Sequence, residues 1–295
     1  MKNSILLPVF LCCLLSASAQ QWKKIRKQPF TPPGMMAIND HLYVDVTETI
    51  NFHWEEYLYW MGRTFGKESE AYKACLPNEA CWLEEDSCLR VNTEFYLHHQ
   101  AYRDYPVVGI TQQQAMDFCK WRSDRVFEYY LIRKGLLEWN VDADSSNYFS
   151  VERYFAGKMN NTPPDPRIKL YPRYRLPTYE EHIEALAFSD SLELHASRRT
   201  RKHWPDTHGL PPLTVPCNDS VRVREPTRAV PYNTSLIWDL RGNVSEWLAV
   251  PGTIVARSWK TQETRDTFYP TPFTGAAASV GFRSVCEFVP YDAAH

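Results

Sequence analysis

Residues 236–247 bring several hard oxygen donors together in one short stretch. Asp239, Asn243 and Glu246 supply carboxylate and amide oxygens, and Gly242 permits a tight turn that points main-chain carbonyls at a common centre. Calcium takes about six to eight such oxygens in a flexible geometry. The stretch therefore predicts a calcium-binding loop, and the alternative that these residues leave open is a surface turn with solvated charges.

This stretch and three others resemble, in order along the chain, the motifs of the formylglycine-generating enzyme (sulfatase-modifying factor) family. Residues 236–247 resemble its Leu-Tyr-Asp-Met-x-Gly-Asn-Val-Trp-Glu-Trp signature. Residues 106–121 resemble its Pro-Val segment with the following Tyr-Cys-x-Trp, residues 174–181 its Tyr-Arg-Leu-Pro-Thr segment, and residues 281–283 its closing Gly-Phe-Arg. Together the matches span roughly residues 31–288, nearly all of the expected mature chain.

The resemblance implies both a fold and a set of metal ligands. The fold would be a C-type-lectin-like variant rich in irregular loops, over residues 34–290. An α+β class also follows from the sequence pattern, which places a few helices early and short strands later. By position in the motif, the ligands of a structural calcium ion would be the side chains of Asp239 and Glu246 and the main-chain oxygens of Gly242 and Val244.

The cysteines with which the family's oxidase binds copper have no counterpart here. The resemblance places them just after an Arg-Gly-Gly-Ser-Trp motif, where residues 255–259 read Val-Ala-Arg-Ser-Trp, so that they fall on Thr261 and Asp266. Soft thiolates select Cu(I), and a hydroxyl with a carboxylate cannot replace them. We therefore expect no bound copper and no catalytic residue of the family's type. A protein of this kind would be a pseudoenzyme.

The first residues have the form of an export signal. Lys2 provides a positive start, residues 5–15 are apolar, and residues 17–19 read Ala-Ser-Ala, a small-residue cleavage site. We expect residues 1–19 to be a signal peptide and residues 20–33 a flexible lead-in, which predicts an exported, periplasmic or secreted protein.

The net charge and the hydropathy of the chain argue against two classes of protein, nucleic-acid binders and transmembrane proteins. The formal net charge is −2, whereas a nucleic-acid partner would favour a strongly basic surface. No stretch after the leader approaches the ~20 apolar residues that a membrane-spanning helix needs. We expect neither nucleic-acid binding nor a transmembrane segment.

The cysteines leave several readings open. Cys12 and Cys13 lie in the leader, where they raise a lipoprotein signal as an alternative, although neither follows the small residue that such signals prefer. An exported protein reaches an oxidising compartment, which permits disulfides among the six cysteines after the leader. The sequence does not determine how they would pair. A local bridge within the cluster nearest the N-terminus is one possibility, and Cys119 fits a small buried side chain. These other cysteines are Cys75, Cys81, Cys88, Cys119, Cys217 and Cys286.

Hydrophobic periodicity and capping residues predict the elements around the motifs. Residues 42–47 alternate as a half-buried strand. A helix should follow, with Trp54, Tyr57, Leu58 and Met61 on its buried face and Thr47 or Asn51 as its cap.

Two further helices are expected to begin at capping residues. Thr111 should cap the first, and Thr178 with Glu181 forms a capping box for a helix over residues 179–187. Residues 142–165 and 194–216 are predicted to be loops.

Three functions from different classes are compatible with these features. The first is a non-catalytic scaffold or binding component of the cell envelope, with a protein partner. It draws on a resemblance of residues 67–106 to the branch found in gliding-motility and type IX secretion lipoproteins. The second is an enzyme of altered chemistry that uses residues such as Arg257, Glu263 and Asp266. The third is a secreted calcium-dependent glycan-binding module, by analogy of fold alone.

Overall fold

The structure is a computed structural model that describes residues 29–85, 87–159, 163–203, 237–255, 257–260 and 269–292, with only the helical backbone over 193–203. The expected signal peptide and most of the expected lead-in lie outside these residues. So do Ala256, Thr261, Glu263 and Asp266.

The described helices lie mainly in the first two thirds of the chain. The described strands lie near its start, at residues 170–175 and after residue 244. The described helices are α1 Asn51–Phe65, α2 Glu70–Lys73, α3 Cys81–Glu85, α4 Asn92–Phe95, α5 Gln112–Arg133, α6 Val151–Phe155 and α7 Tyr179–His203, with 3-10 turns at Ser87–Leu89 and Gln100–Tyr102. The described strands are β1 Met35–Ala37, β2 Tyr43–Asp45, β3 Leu170–Arg175, β4 Ser245–Trp247, β5 Thr253–Val255, β6 Pro270–Pro272, β7 Val280–Gly281 and β8 Val285–Pro290. The mixture confirms the α+β class.

These strands form two four-stranded sheets, in the orders β1-β2-β8-β3 and β6-β5-β4-β7. The first sheet is antiparallel, and β8 pairs with β2 and β3, for example Cys286 opposite Tyr43 and Tyr174. In the second sheet β4 runs parallel to β7, which sets Glu246 opposite Gly281. The Gly-Phe-Arg motif begins at the last residue of β7 and leads to β8, and therefore links the two sheets.

An aromatic core joins α1, α5 and this motif. Trp54 stacks on Phe118 with ring centroids 5.4 Å apart, and Phe282 meets both rings edge-on. All three side chains are buried. The predicted α1 face is confirmed, since Trp54, Tyr57 and Leu58 are buried and Met61 packs against the same core.

Local signals gave mixed results at the helix ends. Thr111 caps α5 through a capping box with Gln114, as predicted. The Thr178–Glu181 box at the start of α7 is present too. The predicted cap of α1 is wrong: its N-cap is Ile50, without a side-chain hydrogen bond. Asn51 instead donates from its buried amide to the main-chain oxygens of Tyr96 and Tyr102.

Two predicted loops contain helix. The helix α6 interrupts residues 142–165, and Ser150 caps it by accepting a hydrogen bond from the Arg153 main-chain N–H. The helix α7 continues to His203, well beyond the predicted end, because residues 188–203 contain no glycine or proline to stop it. Within the described residues, no helix is long and apolar enough to cross a bilayer.

The short helices α2, α3 and α4, with the two 3-10 turns, form what we call the insert, residues 67–105. The insert docks on Gly109, whose carbonyl accepts from the Asn78 N–H at 2.7 Å. Gly109 has a φ of 72°, and a Cβ there would lie 2.6 Å from the Asn78 carbonyl oxygen. Only glycine allows this approach and this backbone conformation together.

Candidate functional site

The predicted metal loop, described here over residues 237–247, leads into β4, an inner strand of the second sheet. Its Asp239 and Asn243 have φ values of 59° and 64°, a left-handed conformation that Asp and Asn adopt more readily than most residues. The Trp238 N–H donates to the Val46 carbonyl at 2.8 Å, and the Ser245 N–H donates to the Ser279 carbonyl at 2.8 Å. The loop is therefore fixed at both ends by main-chain bonds to distant segments.

Glu246 points inward from β4 and forms a buried ion pair with Arg283. The Arg283 Nε donates to the two carboxylate oxygens at 2.8 and 2.9 Å, and its Nη2 lies 2.7 Å from Oε1. The side chains are 1% and 3% exposed. Burial alone would lower the pKa of Arg283, but the adjacent Glu246 carboxylate raises it above its usual value. Such a pair is charged and costly to break.

Arg283 also fixes the main chain around the loop. Its Nη1 donates to the Asp45 carbonyl at 3.2 Å, and its Nη2 donates to the Trp238 carbonyl at 2.9 Å. One guanidinium therefore connects β2, the start of the metal loop and β4. Arg283 of the Gly-Phe-Arg motif thus holds three chain segments together, a role that its position in the sequence does not reveal.

Glu48 is a member of this cluster that sequence reasoning missed. It lies between β2 and α1 and is 1% exposed. Its carboxylate accepts from the Asn243 side-chain amide at 2.7 Å and from the Val244 main-chain N–H at 3.3 Å. Burial, together with the nearby Asp239 and Glu246 charges, raises the pKa of Glu48 well above its usual value. The only signal was an acidic residue in the otherwise uncharged run of residues 46–52.

His182 completes the cluster from α7. Its Nδ1 lies 3.8 Å from a Glu246 carboxylate oxygen, and the side chain is 2% exposed. Burial lowers the pKa of His182 despite the opposing influence of Glu246. At neutral pH the ring therefore adds no positive charge, and Arg283 is the cation that faces Glu48, Asp239 and Glu246.

The residues of the loop fit a calcium ion in charge and donor type. Asp239 and Glu246 both lie close enough to Glu48 to act on it electrostatically. Two carboxylates with main-chain carbonyls form a donor set that calcium takes. In the described part of the chain, no three His, Cys, Asp or Glu side chains form a metal-binding group. The assignment of Asp239, Gly242, Val244 and Glu246 as ligands stays a prediction.

Residues 257–260, which precede the predicted cysteine positions of the family, pack directly against this loop. The Trp259 N–H donates to the Asn243 carbonyl at 2.8 Å, and its indole N–H lies 3.4 Å from the Ala278 carbonyl. On the other side, the Lys260 ammonium is 2.6 Å from a Glu85 carboxylate oxygen of the insert. The insert therefore borders the segment where the family carries its catalytic motif.

The cysteines of the described residues form no disulfide, so the suggested local bridge is not found there. Cys75 and Cys81 are buried, whereas Cys88 is exposed. Burial raises the pKa of Cys119 to about 12 and raises the pKa of Cys286 as well. Buried thiols that stay protonated are poor metal ligands and poor nucleophiles. Cys119 is thus the small buried side chain that the sequence predicted.

Fold and site together define a sulfatase-modifying-factor type of domain. The family model described as "Sulfatase-modifying factor enzyme 1-like domain" matches residues 19–268, and the chain belongs to this family.

Among solved structures, the chain is similar to one titled "Crystal Structure of CarF", with 15% identity and a TM-score of 0.37, over 85% of this chain and 87% of that one. No match is found among the curated proteins.

Proposed function

We propose that this protein is an exported, non-catalytic member of its family that acts as a scaffold or binding component of the cell envelope. The observation that carries the proposal is chemical: the positions of the copper-binding cysteines hold Thr261 and Asp266. Neither side chain supplies the soft thiolate that Cu(I) needs. Calling it exported rests on the form of residues 1–19.

The geometry of the described residues supports the loss of oxidase chemistry. Cys119 and Cys286 lie in the core with raised pKa values and offer no accessible thiolate. The segment at residues 257–260 is bound on one side by the metal loop and on the other by Glu85 of the insert. A substrate peptide would need room beside this segment, on a side that the insert borders.

The proposed partner is a protein of the envelope, and the proposed setting is a gliding-motility or type IX secretion system. Both rest on the resemblance of residues 67–106 to that branch of the family. An affinity-tagged chain recovered from crosslinked envelope extracts should bring down one defined partner in stoichiometric amount. A variant that lacks the insert's exposed Leu83, Val91 and Phe95 side chains provides the matched comparison, since these apolar side chains face solvent.

The loop of residues 237–247 is proposed to bind one structural calcium ion through Asp239, Gly242, Val244 and Glu246. When bound, calcium would add positive charge to a cluster that is short of it, and the loop's own residues would hold the ion without any reaction. An ion that binds only the folded state raises the melting temperature by mass action.

The test of the non-catalytic proposal is direct. Purified protein is incubated with copper and a cysteine-containing sulfatase peptide, and the peptide mass is followed for the conversion of cysteine to formylglycine. We expect no conversion above the control without protein. We also expect the purified chain to bind well below one copper ion per chain. The double variant Thr261→Cys, Asp266→Cys is the matched comparison and should gain copper. Conversion by the wild-type chain would overturn the proposal in favour of altered enzymatic chemistry.

A further inference from the structure

A narrow cleft lies between the start of α1 and the insert. Its walls include Asn51 of α1 and the insert residues Asn78, Glu79 and Trp82. Asn78 and Glu79 are exposed, whereas Asn51 and Trp82 are buried, so the cleft leads from the surface to a buried end. It has room for one group of about the size of a water molecule. A ligand would therefore enter it with a single small group.

The buried end carries a hydrogen-bond acceptor that lacks a donor. The Asn51 Nδ2 donates to the main-chain oxygens of Tyr96 and Tyr102 at 2.7 and 2.9 Å. These bonds use both hydrogens of the amide and fix its orientation. Asn51 is 0% exposed, and no residue that the structure describes donates a hydrogen bond to its Oδ1. Because an unsatisfied buried acceptor is unfavourable, the site favours a ligand that ends in an N–H or O–H donor.

Further polar groups of the cleft are acceptors too. The Asn78 Oδ1 accepts from the Ala80 main-chain N–H at 3.2 Å. Glu79 adds a carboxylate that is 44% exposed and lies 3.5 Å from the His98 Nε2, a ring that is charged only when protonated. The insert as a whole has eight acidic and four basic residues. A lysine ammonium, with three donors, no acceptor and a positive charge, matches this lining.

The size of the cleft and its apolar wall distinguish lysine from other donors. An ammonium is compact, whereas the planar guanidinium of arginine needs more room than one water molecule. Trp82 and Leu97 supply an apolar wall for the aliphatic stem of a lysine. We propose that the cleft binds a lysine side chain of the partner protein, with its ammonium between Asn51 Oδ1 and the Glu79 carboxylate. This inference rests on the proposed function only for the source of the lysine.

Nuclear magnetic resonance titration of the isotope-labelled mature chain measures the binding. The probe is N-acetyl-lysinamide, and its arginine and norleucine counterparts are the comparisons. We expect the lysine probe to shift the Asn51 side-chain amide and the Trp82 indole resonances. It should bind about tenfold more tightly than either comparison, the factor that a hydrogen bond to a charged group supplies. Equal binding of the lysine and norleucine probes would overturn the proposal. So would a crystal soak in which an ordered water stays at Asn51 Oδ1.

A charge variant tests the mouth of the cleft without disturbing the amide of Asn51, which holds the insert. Glu79→Gln keeps the size of the side chain and should weaken the lysine probe about threefold, since the carboxylate is partly exposed. Glu70→Gln is the matched control, because it removes the same charge from a residue of the insert outside the cleft. Equal weakening by both variants would indicate a general attraction to the acidic insert and would overturn the site.

Recovery of the partner from crosslinked envelope extracts separates this inference from the proposed function. Glu79→Lys should reduce recovery at least about tenfold, because like charges at a contact are strongly unfavourable, and Glu70→Lys should leave it unchanged. Full recovery by Glu79→Lys would overturn the cleft as the contact and leave the proposed function standing. A wild-type chain that binds the lysine probe but recovers no partner would overturn the proposed function and leave the cleft as a lysine site.

Discussion

Two adjoining regions of this domain match their family's motifs to very different degrees. The loop of residues 237–247 keeps its aspartate, glycine, asparagine and glutamate, and its Glu246 is locked to Arg283 of the closing motif. The second region, residues 255–260, has Ala256 and Arg257 where the motif has two glycines, and it leads to Thr261 and Asp266. Yet this segment still packs on the loop through the Trp259 N–H and the Asn243 carbonyl.

The comparison shows that contacts between the two regions do not depend on a complete match to the family's motif. A guanidinium with buried carboxylates holds several chain segments together whatever the neighbouring segment does, because its bonds go to main-chain carbonyls as well as side chains. Copper chemistry needs two particular sulfur atoms, and packing needs neither of them. A chain can therefore lack the sulfur ligands that copper needs and still keep this packing.

The largest expected effect comes from removing the centre of the first region. Arg283→Ala should lower the free energy of unfolding by about 3–5 kcal/mol, since it leaves buried carboxylates without a partner. Urea unfolding followed by fluorescence measures it. Arg173→Ala, at an exposed pair with Glu287, should cost less than about 1 kcal/mol. Similar losses for the two variants would show that the loop region does not depend on its buried ion pair.

An intermediate effect is expected where the insert docks. Gly109→Ala places a Cβ 2.6 Å from the Asn78 carbonyl oxygen at a φ of 72°. Gly135→Ala has a similar φ of 67° but meets nothing within 4 Å, so it isolates the backbone strain, about 1–2 kcal/mol. We expect Gly109→Ala to cost about 1–3 kcal/mol more than this control. It should also speed proteolysis within the insert; equal costs would argue against tight docking.

The smallest effect concerns the ion pair between the insert and the second region. The Lys260 side chain is 46% exposed, and Lys260→Ala removes its contact with Glu85. The cost in thermal stability should stay below about 1 kcal/mol and shrink at high salt, because partly exposed pairs are screened. Lys120→Ala, at the exposed pair with Glu152, should behave alike. A much larger, salt-independent loss would mean that the insert is clamped onto this segment through Lys260.

Local sequence signals predicted local structure well. The aromatic face of α1 and the capping residues Thr111 and Thr178 are present. The strand around Val44 is present too, but it is buried on both faces and not half-buried as predicted, because other elements cover it on each side. The failures are also local. The predicted loop over residues 142–165 contains α6, and the predicted loop from residue 194 contains the end of α7, which has no glycine or proline. The cap of α1 failed because the Asn51 amide instead bonds carbonyls of the insert.

Residue types that lie close together in the chain were enough to predict the family, the α+β class and a loop of oxygen donors, and they show that residues 261 and 266 are not cysteines. Only the tertiary structure decided which distant groups meet them. Glu48, His182 and Arg283 come from three different segments and converge on Glu246. Burial in one core makes their charges interact strongly, and no spacing along the chain encodes that convergence.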